Sequence, residues 1–127
     1  MEKVVIRTVE APAPFQGAPY NQAICAGELV FVSGQLGLKP GDTAVEGDIA
    51  VQTEQAMQNL SAILEAAGSS LANLVKTTVY LADLGDFAAM NEVYARHAGD
   101  RPPARATVEI SKLPSDALVE IEAVAHV

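Results

Sequence analysis

Several residue types that mark particular protein classes are scarce in this chain of 127 residues. Cys25 is the only cysteine, so no disulfide can form within the chain, and a reducing cytosol is the natural compartment. Half of the residues are hydrophobic, yet no apolar run approaches the roughly 20 residues of a membrane span. The first residues also lack the basic, apolar and small-residue order of a secretory signal. We therefore expect a cytoplasmic protein that does not associate with membranes.

Basic residues are also few. Lys and Arg number 8 against 16 Asp and Glu, which gives a net charge of −8 that repels phosphate backbones. His97 and His126 are the only histidines and lie far apart, and no His, Cys and carboxylate spacing is typical of zinc. No glycine-rich nucleotide-binding motif is present either. We expect no nucleic-acid partner, no metal and no organic cofactor.

The pattern along the chain predicts one domain, residues 1–127, of α+β class. Strands are expected at 4–8, 22–26, 29–34 and 74–81, with a Pro- and Gly-rich loop at 10–20. One helix begins after an N-cap at Asp48 and ends at Gly68; a second follows residues 83–86 and stops before 101–103. Two C-terminal strands complete the order β-β-β-α-β-α-β-β. This order predicts two helices on one face of a mixed sheet.

The two C-terminal strands, residues 103–110 and 118–124, alternate with period two. We expect them to form a hairpin around a turn at 112–116, with their apolar positions towards the helices. Arg105 would then lie about 5–8 Å, at Cβ, from Glu120 and Glu122 on the sheet face turned away from the helices. From the hairpin alone, a structural ion pair that sets register is the commoner arrangement, and a functional site is the alternative.

The strand at 29–34 is apolar on both faces, since Leu29 and Phe31 alternate with Val30 and Val32. It must be covered twice, and the face away from the helices is expected to carry Val30 and Val32 beside polar side chains, including Lys76, Tyr80, Arg105 and Thr107. Such a mixed surface is too large to leave in water, so a homo-oligomer is predicted to close it. Residues of different subunits would then meet at one site.

Short segments spread along the chain resemble one family. They include Ala-Pro-Tyr at 18–20, Val-Ser-Gly-Gln at 32–35, Pro-Ala-Arg at 103–105 and Val-Glu-Ile at 119–121. Together they resemble the Rid family of reactive-intermediate deaminases, also called the YjgF family. The resemblance implies a chorismate-mutase-like homotrimer with three sites in clefts between subunits. It also implies hydrolysis of 2-aminoacrylate and related 2-imino acids, released by pyridoxal-phosphate enzymes, to 2-keto acids and ammonia.

By this resemblance Arg105 and Glu120 are the catalytic residues. Five more residues would bind substrate, namely Tyr20, Ser33, Gly34, Asn91 and Thr107. Arginine grips a planar carboxylate with two parallel hydrogen bonds, and a glutamate can take a proton from attacking water, so the chemistry suits a 2-imino acid without any cofactor. Thr107 stands where many such deaminases have cysteine, and the loop before Tyr20 is longer than in the commonest family form.

Other interpretations of these residues stay open. Ser33 suits a packed hydroxyl better than a nucleophile, because no histidine or acid is near it in sequence. Tyr20 can simply pack on its loop, Asn91 can be a polar residue on a helix face, and Glu122 is interpreted as structural. Two alternative functions also remain: a ribonuclease or translation inhibitor, and a non-catalytic sensor or chaperone that binds small carboxylates.

Overall fold

The computed structural model describes residues 1–127 and contains the predicted six strands and two helices. Their bounds are β1 Lys3–Ile6, β2 Ala23–Ala26, β3 Leu29–Leu36, α1 Ile49–Ala66, β4 Leu74–Leu81, α2 Phe87–Ala98, β5 Ala104–Glu109 and β6 Val119–His126. This confirms the order of the elements and the α+β class with a mixed sheet.

Helix α1 begins and ends where its sequence signals predict. The Asp48 side chain accepts a hydrogen bond from the Val51 N–H at 3.0 Å and so satisfies one free donor of the first turn. Gly68, at φ +80°, lies just after the last turn, in a conformation that favours glycine. Apolar residues recur along α1 at spacings of three and four, and this stripe, which includes Leu60 and Ile63, is buried against the sheet. Neither helix combines the length and apolar character needed to cross a bilayer.

The sheet has the strand order β1-β2-β3-β6-β4-β5. All neighbours are antiparallel except β4 and β5, which are parallel and connected through α2. The predicted hairpin between the two C-terminal strands is therefore wrong, because β4 lies between them: Thr77 pairs with Arg105 on one side and with Ala123 on the other. Strand β6 takes a central position between β3 and β4, and helix α1 packs against it.

The pairing also reverses two predicted faces. Val30 and Val32 are 0% and 5% exposed and lie on the helix-covered face, whereas Leu29 and Phe31 are 40% and 46% exposed on the other face, which we call the open face. Arg105 lies on the helix-covered face, beneath aromatic rings of α2, and not on the open face. Thr107, two residues further along β5, shares the helix-covered face with Arg105.

The open face is left uncovered by this chain. It presents the exposed apolar side chains of Leu29, Phe31 and Val108, and beside them the polar side chains of Glu120 and Glu122. Alternation along β4 predicts that Val75 is buried with Thr77 and Val79, but a bulge between Leu74 and Lys76 takes it out of that register and leaves it 46% exposed.

Candidate active site

The seven predicted site residues separate into two groups on opposite faces of the sheet. Tyr20, Ser33, Gly34 and Glu120 line one cleft of about 510 Å³ at the open face. Asn91, Arg105 and Thr107 lie between α2 and β5 on the helix-covered face. We call these groups the Glu120 half-site and the Arg105 half-site. No small ligand can touch both of them within one chain.

A β-bulge shapes the Glu120 half-site. Val32 pairs with Ala123 and Gln35 with Ile121, so Ser33 and Gly34 together stand opposite the single residue Glu122. Bulges re-aim side chains and are frequent beside active sites. The chain therefore bends here, and β3 turns its backbone towards the loop that carries Tyr20.

Ser33 ties that loop to the bulge. Its N–H donates to the Gln22 carbonyl at 2.9 Å, and its hydroxyl donates to the Asn21 carbonyl at 2.6 Å. Because the hydroxyl proton is taken by a carbonyl, the arrangement is that of a packed structural hydroxyl and not of an activated nucleophile.

Gly34 makes room for Glu120. A Cβ atom at position 34 would lie 2.8 Å from Cδ and 3.0 Å from both Cγ and Oε1 of Glu120. The sequence suggests that the missing side chain allows a ligand to approach the backbone. The structure adds a direct reason for glycine, since the Glu120 side chain occupies the space that any Cβ would fill.

Tyr20 is held by its own loop and still faces the cleft. Its hydroxyl oxygen accepts a hydrogen bond from the Phe15 N–H at 2.7 Å, and the side chain is 41% exposed. The Gln22 side chain is 3% exposed and braces the loop by bonding the backbone of Thr8, Ala11 and Pro12. A phenol that accepts keeps its own proton, so Tyr20 can still donate into the cleft.

The Glu120 half-site concentrates negative charge. Burial raises the pKa of Glu120 above its ordinary range, and the neighbouring charge of Glu122 raises it further. The Tyr80 hydroxyl donates to Glu122 Oε1 at 2.5 Å, and this bond is the main cause that raises the pKa of Tyr80. Neither carboxylate forms a salt bridge within the chain. The half-site therefore holds a carboxylate that binds a proton more readily than an exposed one.

The Arg105 half-site holds a cation with no anion. The guanidinium carbon of Arg105 lies 4.8 Å from the centre of the Tyr94 ring and 5.6 Å from that of Phe87. These rings attract the cation through their faces and leave its N–H edges free. The Arg105 guanidinium forms neither a salt bridge nor a hydrogen bond within the chain, so the structural ion pair considered for it does not exist here.

Two buried acceptors lie in the same half-site. Asn91 Oδ1 and Thr107 Oγ1 are buried and have no hydrogen-bond partner. Asn91 lies four residues after Phe87 and three before Tyr94, so it shares their face of α2. Buried polar atoms are nearly always paired, and two unpaired ones on the faces that flank a free guanidinium mark a place for a polar group from outside the chain.

Sequence reasoning assigned no site role to Phe87 and Tyr94 around Arg105 or to Tyr80 beside Glu120, and it interpreted Glu122 as structural. The spacing of positions 87, 91 and 94 places the three residues on one face of a helix, which the sequence alone indicates. Tyr80 could not be found in this way, because its contact depends on β4 pairing with β6. The Tyr94 hydroxyl also shares a 2.7 Å hydrogen bond with Thr77 Oγ1, which fixes the ring beneath Arg105.

No cluster of three or more His, Cys, Asp or Glu side chains is arranged to hold a metal ion. The chemistry available from the chain itself is thus a free guanidinium, a carboxylate with a raised pKa, a phenol and several amide and hydroxyl groups. This set suits the binding of a small carboxylate and a proton transfer.

Comparison with known sequences finds relatives along nearly the whole chain. The family model described as endoribonuclease L-PSP matches residues 9–127. A RutC family protein of Pyrococcus horikoshii is 53% identical over 125 residues, which cover 98% of each chain. The human 2-iminobutanoate/2-iminopropanoate deaminase is 42% identical over 122 residues, covering 95% of this chain and 88% of the human protein.

Solved structures agree with the sequence matches. RidA from an Antarctic Psychrobacter species superposes with a TM-score of 0.93 at 41% identity, covering 98% of this chain and 99% of that one. Escherichia coli TdcF with bound serine superposes with a TM-score of 0.90 at 36% identity, covering 98% of each chain. The signature segments, the mixed sheet with two helices and these matches agree, and the chain belongs to the Rid family, also called the YjgF family.

Proposed function

We propose that this chain hydrolyses 2-aminoacrylate and related 2-imino acids to 2-keto acids and ammonia, in clefts between the subunits of a chorismate-mutase-like homotrimer. The observation that carries the proposal is the pair of incomplete half-sites. Arg105 is a cation without an anion, and Glu120 is a proton acceptor without a cation. A cyclic assembly can bring the Arg105 half-site of one subunit against the Glu120 half-site of the next.

Arg105 is the carboxylate handle in this proposal. Its planar fork makes two parallel hydrogen bonds to a carboxylate, which fixes the neighbouring C=N carbon in one place. The rings of Tyr94 and Phe87 hold the guanidinium by its faces, so the edge that carries the donors stays available. Escherichia coli TdcF, a relative solved with bound serine, supports a ligand of this size and charge.

Glu120 is the proton acceptor. An enamine such as 2-aminoacrylate first takes a proton from solvent at its terminal carbon, which gives the iminium form of the imine. The oxygen of a water molecule then bonds to the C=N carbon while Glu120 takes a proton from that water. Glu120 returns this proton to the nitrogen of the resulting carbinolamine. The C–N bond then breaks and ammonia leaves, while the hydroxyl loses its proton to Glu120 and the C=O bond of the 2-keto acid forms. A raised pKa suits a group that must both accept and return a proton.

The other site residues shape the cleft and orient the substrate and the attacking water. The Tyr20 hydroxyl can donate to the attacking water or to the carbinolamine oxygen. Ser33 and Gly34 form the bulge that places Glu120. On the opposite wall, the unpaired oxygens of Asn91 and Thr107 can accept hydrogen bonds from the substrate nitrogen or from ordered water. We further propose that the protein acts in the cytoplasm, in line with its single cysteine.

The test couples the protein to an amino-acid oxidase reaction and measures how fast semicarbazide traps the free imine. We expect the wild type to lower the trapping rate. Arg105→Lys keeps the charge but loses the fork, so turnover should fall by at least about 100-fold. Glu120→Gln keeps size and polarity but cannot take a proton, so it should lose turnover and still bind pyruvate.

Two exposed substitutions serve as matched controls. Arg101→Lys and Glu28→Gln change the same residue types at exposed positions outside both half-sites, and both should retain wild-type turnover. Unchanged trapping with the wild-type protein would refute the deaminase. If pyruvate binding then still requires Arg105, the non-catalytic carboxylate sensor is the better description.

A further inference from the structure

Two carboxylates share the Glu120 half-site. Glu120 and Glu122 are two residues apart on β6, so both side chains lie on the open face, and both line the same cleft. Two carboxylates in one cleft repel each other when both are ionised, so the environment decides which of them holds a proton. The deaminase proposed above requires that Glu120 be the carboxylate that exchanges protons.

Tyr80 forms a hydrogen bond with only one of the two carboxylates. It pairs with Glu120 in the register of β4 and β6, yet its hydroxyl donates at 2.5 Å to Glu122 and not to Glu120. A hydrogen bond of this kind to a carboxylate favours its ionised form. Glu120 has no hydrogen-bond donor within the chain to stabilise its charge.

Within the chain, the other charged groups near the pair lie on β4 and on the neighbouring turn, and in the proposed assembly Arg105 of the next subunit faces the cleft from the opposite wall. Lys76, also on β4, lines a 290 Å³ recess together with Glu122 and not with Glu120, and its Nζ donates to Thr78 Oγ1 at 3.4 Å. From the loop side Tyr20 enters the cleft, and β3 contributes no charged group at its bulge. The neighbouring turn carries Asp116, whose carboxylate is paired with Lys112 Nζ at 3.4 Å.

We propose that Tyr80 and Glu122 are positioning residues for the proton transfer: Tyr80 holds Glu122 ionised, and the fixed charge of Glu122 directs the exchanged proton to Glu120. The inference rests on the proposed imine hydrolysis and deepens it, because it assigns a task to two residues that do not themselves touch the reacting atoms. During turnover the proton leaves water, resides on Glu120 and departs with ammonia, while Glu122 keeps its charge throughout.

The experiment measures kcat/KM against pH for the wild type and for Glu122→Gln, Tyr80→Phe and the double variant. Glu122→Gln removes the like charge, so the midpoint of the acid limb should move to lower pH. Its plateau should fall roughly threefold to tenfold, because Glu120 becomes a weaker base. Tyr80→Phe removes the hydrogen bond that favours ionised Glu122, so Glu122 can take up a proton. The midpoint of the acid limb should then also move to lower pH, but by less than in Glu122→Gln.

The double variant, Tyr80→Phe with Glu122→Gln, tests whether Tyr80 affects the acid limb only through Glu122. If Tyr80 acts only through Glu122, adding Tyr80→Phe to Glu122→Gln should leave the acid limb where Glu122→Gln alone puts it. Glu28→Gln, an exposed substitution of the same type, should leave the limb at its wild-type position. A purely structural role would lower thermal stability and move no midpoint.

A carboxyl ¹³C NMR titration separates this inference from the function on which it rests. With side-chain carboxyls of glutamate labelled, the resonance missing from Glu120→Gln identifies Glu120, and its titration should move to lower pH in Glu122→Gln. Should the wild type show no imine turnover, the proposed function fails while this titration still reports on the pair. A Glu120 resonance and an acid limb both unmoved in Glu122→Gln would overturn the inference.

Discussion

An alanine at position 34 should displace Glu120 while leaving the fold intact. The new Cβ would lie 2.8 Å from Glu120 Cδ and 3.0 Å from Cγ and Oε1, whereas carbon atoms pack at about 3.5–4.0 Å. The carboxylate must therefore move by roughly 1 Å. Gly34 does not have a positive φ, so alanine itself fits the backbone there.

Gly34→Ala should have a large effect on kcat and a small effect on the free energy of unfolding. Misplacing a catalytic group by about 1 Å can lower the rate 100-fold, so we expect Gly34→Ala to reduce kcat by at least about that factor. Since the atoms in contact belong to the end of a flexible side chain at an open cleft, the free energy of unfolding should change by no more than about 1 kcal/mol.

Gly37→Ala provides the matched control, three residues further along the same chain segment. Its Cβ would lie 2.5 Å from both the Cα and the carbonyl oxygen of Gln52 in α1, and helix backbone cannot move aside as a side chain can. Overpacking of this kind costs about 1–3 kcal/mol, so this variant should lose stability. Urea denaturation and the imine-trapping assay are measured for both variants. Full turnover in Gly34→Ala, or a loss no larger than its unfolded fraction, would refute the assigned position of Glu120.

Three further predictions concern the assembly, the chemistry and the response to pH. Light scattering should give a trimer of about 40 kDa from chains of 13.3 kDa. Phe31→Glu places a charge on the open face and should dissociate the trimer. A stable wild-type monomer at micromolar concentration would contradict the shared cleft. Turnover should survive exhaustive treatment with a chelator, and a loss reversed only by added metal would contradict the proposed mechanism. Glu54 Oε1 lies 2.9 Å from His97 Nε2, and this hydrogen bond holds the Glu54 pKa below its ordinary value. A lowered pKa contributes stability above the unfolded-state pKa, and that contribution is lost as the pH falls through the folded-state pKa. Glu54→Gln should therefore cost at most about 0.5 kcal/mol at pH 6, where water screens the partly exposed pair, and less as the pH falls into the acid range; a cost that does not change with pH would contradict the assignment.

The local features of the fold could be predicted from the sequence because each depends on neighbours in the chain. The Asp48 cap, the buried stripe of α1, the glycine after its last turn and the alternation of β6 all follow from spacing within one element. The choice of Arg105 and Glu120 as site candidates came from the alternation and from the family resemblance.

The partner of each strand and the face it presents depended on tertiary structure. Alternation shows that Arg105 and Thr107 share a face, but not which face, and β5 carries only small or half-exposed side chains that any neighbour could cover. The parallel connection through α2 places β5 at the edge and beneath the Tyr94 ring, which separates Arg105 from Glu120.

The sequence by itself determined which segments are helix and strand and their order, because these follow from local spacing and residue type, and with the family resemblance it supplied the candidate site residues. Only the tertiary structure decided that β6 inserts beside β4, that a bulge sets Gly34 against Glu120, and that Tyr80 bonds Glu122. The Tyr80–Glu122 hydrogen bond, for example, joins residues 42 positions apart in sequence, and no local periodicity specifies which distant strands will pair.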